Sequence, residues 1–253
     1  MKEAQIKVDY IDHMGTDLSV VNAARSSFGK ESDWEADGSL KKADANLIRF
    51  LASGFRTEEW DELADKFLRA ETRSEVQAML KQYKNSAQHW APFAHPHVSL
   101  RIKAPIFIAR QMVKHQVGGV WSEVSRRYVS DEPEFWFPKE WHTRPENVKQ
   151  GSGDALSGET EYAINYLSRN FTDYALSTYN NILGAGVAPE EARSVLPLNT
   201  MTEWVWTGSL AFWARVGNQR LDGHAQLAAQ ETARGIRDIV APLYPVSWAA
   251  LVS

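Results

Sequence analysis

Hydrophobic and polar residues alternate strictly from Val98 to Lys103, with Val98, Leu100 and Ile102 on one side and Ser99, Arg101 and Lys103 on the other. A period of two with one apolar face predicts a half-buried strand. QIKVDYI at 5–11 predicts another strand, and GTDLSVVNAARSSF behind it predicts a helix opening on Asp17 as N-cap. Between 39 and 85 the period lengthens, which predicts two or three amphipathic helices with Leu63, Phe67 and Leu68 in one apolar stripe. Pro105 suits the first turn of a helix, where its missing amide hydrogen costs nothing, and Gly118-Gly119 ends that helix. SEVSRRY, residues 122–128, then leaves as a loop or short strand. GSGDALSG at 151–158 predicts a surface loop. A long helix follows, with Leu167, Phe171 and Tyr174 at helical spacing and Gly184 and Gly186 as terminators. Residues 200–207 predict a strand with Trp204 and Trp206 on one face, and helices over 209–218 and 222–241 close the chain. No internal repeat interrupts this order, and its mixture of helices and strands favours an α+β fold over a regular βαβ array.

The chain has 253 residues, enough to bury one sizeable core, so a single domain over 1–253 is expected. Its net charge of −4 argues against broad electrostatic binding of nucleic acid. Basic residues must then act locally, in pockets. Ten tryptophans provide aromatic surface for packing or stacking. There are no cysteines, which excludes disulfides, thiolate zinc sites and a cysteine nucleophile. No apolar run approaches the ~18 residues of a membrane span, and MKEAQIKVDY has no signal-peptide core, so a cytoplasmic location is expected.

Chemistry concentrates between Pro105 and Tyr128, PIFIARQMVKHQVGGVWSEVSRRY. Gln111, Lys114 and His115 are three and four residues apart and would share a helix face; a solvated face with a snorkelling lysine is the alternative. Arg126 and Arg127 follow, and the planar arginine fork suits phosphate through charge-assisted bonds. An ion-pair cluster with Asp131, Glu132 and Glu134 is the competing explanation. Glu190 and Arg193 have the spacing of a local helix pair. His224, in NQRLDGHAQ, reads alone as a packed or capping histidine. His89, His95 and His97 have no nearby carboxylate in sequence, and no metal is expected. Ser125 lacks a recognisable base and orienting group, so a hydroxyl that binds phosphate or a ring edge is favoured over a nucleophile. Neither GxGxxG nor a P-loop is present.

KHQ at 114–116 followed by SEVSRRY resembles the signature of the flavin-dependent thymidylate synthases, whose usual form is RHR, a spacer and NExSxRY. HWAPFAH, ARSVLPLN and NQRLDGHAQ are similar to further family segments in the same order, and the resemblance covers 7–28, 89–137 and 187–245. Residues 55–85 read as an inserted helical segment. The resemblance implies helices on a central, mainly antiparallel sheet, assembled as a homotetramer. It implies FAD as cofactor, deoxyuridylate (dUMP) as substrate, methylenetetrahydrofolate as carbon donor and NADPH as reductant. Gln111, Lys114, Ser125, Arg127, Arg193 and Arg220 match nucleotide-holding positions, with Arg126 a further candidate beside them. Lys114, His115 and Gln116 match the flavin-binding triplet, and Glu123 matches the boundary between the two ligands. Ser27, His89, Ser209, Arg215 and His224 match further flavin positions, and Arg220 matches the arginine that polarises the uracil ring. Lysine and glutamine thus stand where both arginines of RHR are usual.

Transfer of a one-carbon unit to uracil needs an electron-rich ring carbon. Without cysteine the remaining route stabilises charge on the ring, the task that the resemblance gives to Arg220. Two alternatives remain at this level: the same chemistry on another pyrimidine nucleotide, and a non-enzymatic nucleic-acid binder that stacks bases on its tryptophans.

Overall fold

The computed structural model describes residues 1–84, 88–129, 131–145 and 151–252. Its elements are, in order, β1 (Lys2–Glu3), β2 (Lys7–Met14), α1 (Asp17–Arg25), α2 (Lys42–Ser53), α3 (Thr57–Arg69), α4 (Arg73–Lys84), β3 (His97–Pro105), α5 (Ile106–Met112), β4 (Gly119–Glu123), β5 (Glu134–Phe135), α6 (Gly158–Gly184), α7 (Pro189–Ala192), β6 (Met201–Ser209), α8 (Leu210–Arg220), α9 (Leu227–Leu243) and α10 (Pro245–Leu251). A four-stranded sheet has the order β2-β3-β6-β4, and β1 pairs in parallel with β5. This is the expected mixed α+β fold. Two compact units share the chain, each drawn from three separate segments.

The first unit comprises 1–11, 99–207 and 216–237 and holds β4 with the larger parts of β2, β3 and β6. The alternation read from the sequence is realised in β3, where Leu100, Ile102 and Ala104 are fully buried. β6 buries Trp204 and Trp206 on one face, because residues two apart in a strand point the same way. Phe135, Phe137, Leu176, Tyr179 and Ala192 form a second apolar cluster, which fixes β5 and α7 against α6. Pairing of β1 with β5 brings Lys2 opposite Glu134, whose carboxylate also binds Lys103. Burial pushes the Glu134 carboxyl up, but hydrogen bonds from Lys103 and Lys2 outweigh it and hold it below its ordinary range.

The second unit comprises 12–98, 208–215 and 238–253, in which α1, α2 and α10 pack together. Asp17 is not the N-cap of α1; Thr16 is, and Asp17 is nearly buried with its carboxylate accepting from the amides of Val246 and Ser247 at 2.9 Å each. A charge at that position satisfies orphan donors at the start of another helix instead of its own. Asp44, fully buried, accepts from Arg25 and from the Ser32 hydroxyl. Asn22 binds the Ser32 backbone in both directions, accepting at 2.8 Å and donating at 3.0 Å. The polar residues of NAARSSF thus anchor the segment between α1 and α2. At the end of β6, a Cβ added to Gly208 would lie 2.1 Å from Phe212, so only glycine admits this buried ring.

Three helices occupy the stretch expected to hold two or three, and Phe55, Leu63 and Met79 form their core. The expected stripe is narrower than read: Phe67 is 43% exposed and Leu68 86%. Leu68 is five residues beyond Leu63, about 140° around the helix, and faces away from the α3–α4 contact. The last residue of the 55–85 segment lies outside the described residues.

The sign of the Glu134 effect is fixed by its lowered carboxyl. Its contribution to stability is present above the unfolded carboxyl's pKa and is lost as pH falls through the lower folded value. In urea titrations at a series of acidic pH values, Glu134→Gln is expected to unfold with a shallower acid dependence than the parent protein. Parallel curves would mean that the two lysines do not stabilise this carboxylate.

Candidate functional site

The signature segment is shaped by an early helix stop. Pro105 is the final residue of β3 and the N-cap of α5, one position before the expected first turn, and α5 ends at Met112. The Val113 amide donates to Ala109 at 2.9 Å and that of His115 to Met112 at 3.0 Å, a tightening turn that closes the helix. Gln111 is therefore helical while Lys114 and His115 lie beyond the helix, so the shared helix face read from the spacing is not formed. Gly118, at φ 84°, then takes the left-handed conformation that sends the chain into β4.

β4 lies beside β6 at the sheet edge. Trp121 stacks on Trp204 with ring centres 4.3 Å apart and an interplanar angle of 18°, and it meets Trp206 edge-on at 5.1 Å. The Glu123 carboxylate accepts from the Thr202 hydroxyl at 2.7 Å and from the Trp121 indole at 3.2 Å. Trp206 also meets the His115 ring edge-on at 6.4 Å. Nε2 of His115 accepts from Nε of Arg220 at 3.0 Å. Arg220, the last residue of α8, is half-buried, and burial lowers its guanidinium from the ordinary range. His115 and Glu123, and Arg220 about a hundred positions further along, are thus joined through three tryptophans and direct hydrogen bonds.

Past β4, the Arg127 guanidinium donates to the Ser125 hydroxyl at 3.2 Å and lies 5.0 Å from the centre of the Tyr128 ring. Arg126 donates to the backbone carbonyl of Asp131 at 3.0 Å. Glu134 is taken by Lys2 and Lys103, so the expected alternative of an acidic cage around the arginine pair is not what the side chains form. Arg193 likewise donates to the Glu190 carbonyl at 3.2 Å, not to its carboxylate. Lys114 and Arg127 are exposed and carry no carboxylate partner among the described residues. Inside α5, the Gln111 side-chain oxygen is buried without a hydrogen-bond partner. A buried acceptor left open is costly unless a ligand donor reaches it.

His224 is exposed; its amide donates to Asp222 at 2.7 Å and its ring lies 3.0 Å from the same oxygen. Those two hydrogen bonds hold the Asp222 carboxyl below its ordinary range. It is a local turn residue rather than a packed one. Ser27, His89, Ser209 and Arg215 belong to the second unit. Ser27 and Arg215 are exposed, Ser209 is buried and caps Phe212 through its hydroxyl at 3.2 Å, and the His89 ring lies 5.6 Å from that of Phe50. Among the described residues no cluster of metal-ligating side chains is present. A cavity of about 830 Å³ opens in the first unit, walled by Phe107, Trp136, Trp141 and Phe171 with Gln226 and Arg234 at its polar side.

Comparison with known proteins places this arrangement. The family model for thymidylate synthase complementing proteins matches residues 9–246. A flavin-dependent thymidylate synthase of Ehrlichia ruminantium is 32% identical over 247 residues, 97% of this chain and 70% of that protein. The Thermus thermophilus enzyme of the same description is 32% identical over 243 residues, 96% of this chain and 74% of its own. The chain belongs to the flavin-dependent thymidylate synthase family. It is an FAD-dependent enzyme of that class and has no cysteine nucleophile. The non-enzymatic alternative gives way to this finding. A crystal structure of a UMP/dUMP methylase PolB from Streptomyces cacaoi bound with 5-Br dUMP shares the fold, with a TM-score of 0.73 and 23% identity over 99% of this chain and 96% of that one.

Sequence reading missed Trp121 and Thr202 as the groups that hold Glu123. The signal was present: Thr202, Trp204 and Trp206 share the parity of one β6 face. It lacked the strand pairing that brings β4 alongside. The close, nearly parallel Trp121–Trp204 pair should give an exciton couplet in the far-ultraviolet circular dichroism spectrum. Trp121→Phe is expected to abolish the couplet while the protein stays folded. A couplet of unchanged amplitude would rule out this pair as its source.

Proposed function

We propose that this enzyme reductively methylates dUMP to thymidylate, with methylenetetrahydrofolate as carbon donor and NADPH as reductant. The observation that carries the reading is Arg220: a half-buried guanidinium, fixed through Nε by His115, in a chain with no thiol to attack the ring. Its terminal amino groups remain for a ligand. A fixed, desolvated cation stabilises negative charge on the uracil carbonyl and nitrogen, which makes the neighbouring ring carbon nucleophilic. When bound, reduced flavin supplies the hydride that protein side chains cannot carry.

The donor set fits two anionic nucleotides. Ser125, Arg126, Arg127 and Arg193 hold the dUMP phosphate with Lys114, and the unpartnered oxygen of Gln111 accepts from the nucleotide. The family resemblance assigns flavin contacts to Lys114, His115, Gln116 and His224 in the first unit, with Glu123 at the boundary of the two ligands, and further flavin contacts to Ser27, His89, Ser209 and Arg215 in the second unit. The aromatic-walled cavity supports a place for a flat co-substrate. Assembly as a homotetramer completes this reading. It is supported by α6, on which Leu167, Phe171 and Tyr174 are each more than half exposed and lie within about 60° of one another around the helix, an apolar patch that another copy would cover. The match of one family model to residues 9–246 supports treating the chain as a single family domain. Among the described residues no helix is long and apolar enough to cross a membrane.

A second reading keeps the chemistry and changes the sugar. The likeness in fold to a protein described as a UMP/dUMP methylase favours testing the ribonucleotide.

The purified protein is expected to show a flavin spectrum and to convert dUMP to thymidylate with methylenetetrahydrofolate and NADPH under oxygen-poor conditions. Product from UMP at equal or greater efficiency would select the second reading. A colourless protein, inactive after FAD is added, would overturn both. Arg220→Ala is expected to lower turnover by about 100- to 1,000-fold at saturating nucleotide, the usual loss for one fixed electrostatic donor. Near-normal turnover would reject Arg220 as the ring activator.

A further inference from the structure

We propose that His115 is a positioning residue, whose neutral imidazole aims Arg220 at the substrate by accepting the arginine's Nε–H. The inference rests on the reading of Arg220 as the group that faces the pyrimidine. It goes further by giving the signature histidine a second task beside the flavin contact proposed above.

Geometry determines the protonation state that this task needs. An arginine Nε always carries hydrogen and never accepts, so a bond of 3.0 Å from it requires a lone pair on Nε2 of His115. The imidazole must then hold its proton on Nδ1, and only the neutral ring has that arrangement. The ring is kept in place by its edge-on contact with Trp206, itself 1% exposed and in contact with Trp121. A buried aromatic strand face thus supports the acceptor, and the acceptor supports the arginine. Using Nε for this bond sets the plane of the guanidinium and leaves its two terminal amino groups at the far edge of the fork.

Protonation of His115 would remove the lone pair and place a second cation against Arg220. Repulsion is strengthened there because Arg220 is half-buried. Arg220 faces the imidazole from α8, Lys114 precedes it in the chain, and β6 presents Trp206, which does not titrate. Glu123, at the end of β4, is engaged by Thr202 and Trp121. Release of Arg220 in acid follows from this arrangement, and turnover should decline along an acid limb set by His115.

The test uses full-length enzyme saturated with FAD, with flavin content read by absorbance in each preparation. Turnover is measured against pH for the parent protein, His115→Gln and His115→Leu. Glutamine retains an oxygen acceptor that does not titrate, so His115→Gln should lose the acid limb and, at equal flavin content, turn over about tenfold or more faster than His115→Leu. Leucine offers no acceptor, and His115→Leu should fall by about 100-fold at every pH, the order expected for misplacing one electrostatic donor. An acid limb that persists in His115→Gln would overturn the proposal. So would equal turnover of flavin-loaded His115→Leu and His115→Gln. A second readout needs neither turnover nor a stable leucine variant. Nitrogen NMR of the labelled parent enzyme at neutral pH should show His115 with Nδ1 protonated and Nε2 bare, and a proton on Nε2 would overturn the assignment. Arg220→Ala separates the two layers: full turnover in that variant defeats the reading of Arg220, whereas the NMR result reports on the hydrogen bond alone.

Discussion

Trp121 lies flat on Trp204 across two neighbouring strands, and the placement of Glu123 depends on that stack. It ties the edge strand β4 to β6, and the edge strand carries Glu123 with it. Aromatic pairs of this kind contribute about 0.5–1.5 kcal/mol beyond their buried area. Their geometry matters as much as their energy, because two-ring planes restrict sliding along the strand. Thr202, one strand position pair from Trp204, then meets Glu123 without further adjustment. Trp206, the next residue on that face, supplies the wall against which His115 rests. A single strand with period-two spacing therefore positions a carboxylate and an imidazole at successive steps.

Charge is handled differently in the structural and functional parts of the molecule. Where carboxylates serve the fold they are engaged: Asp44 by Arg25 and Ser32, Glu134 by two lysines, Asp17 by two backbone amides. Breaking such a buried arrangement leaves an uncompensated charge, so these groups must remain together. Lys114 and Arg127 have no comparable carboxylate among the described residues, and Arg126 and Arg193 reach only backbone carbonyls. In a chain of net charge −4, Lys114 and Arg127 thus stand without a neutralising carboxylate among the described residues. The absence of cysteine makes that electrostatic provision the central resource for activating a ring.

The sequence alone was sufficient for the α+β class, for the alternation in β3 and for two or three helices between 39 and 85, and it named the residues of KHQ and SEVSRRY as candidates. These are local properties: period, turn chemistry and residue type are decided by neighbours within a few positions. Tertiary structure decided the rest. Asp17 reads as a helix cap and instead serves α10, more than two hundred residues away, because a carboxylate goes to whichever orphan amides packing brings near. Leu68 reads as core and is exposed, because it lies about 140° around α3 from the buried Leu63. Lys114 and His115 read as members of one helix face with Gln111, but α5 stops before reaching them. The hydrogen bond from Arg220 to His115 spans 105 positions and leaves no periodic trace, since side chains that meet across different elements are related only by the path of the backbone between them.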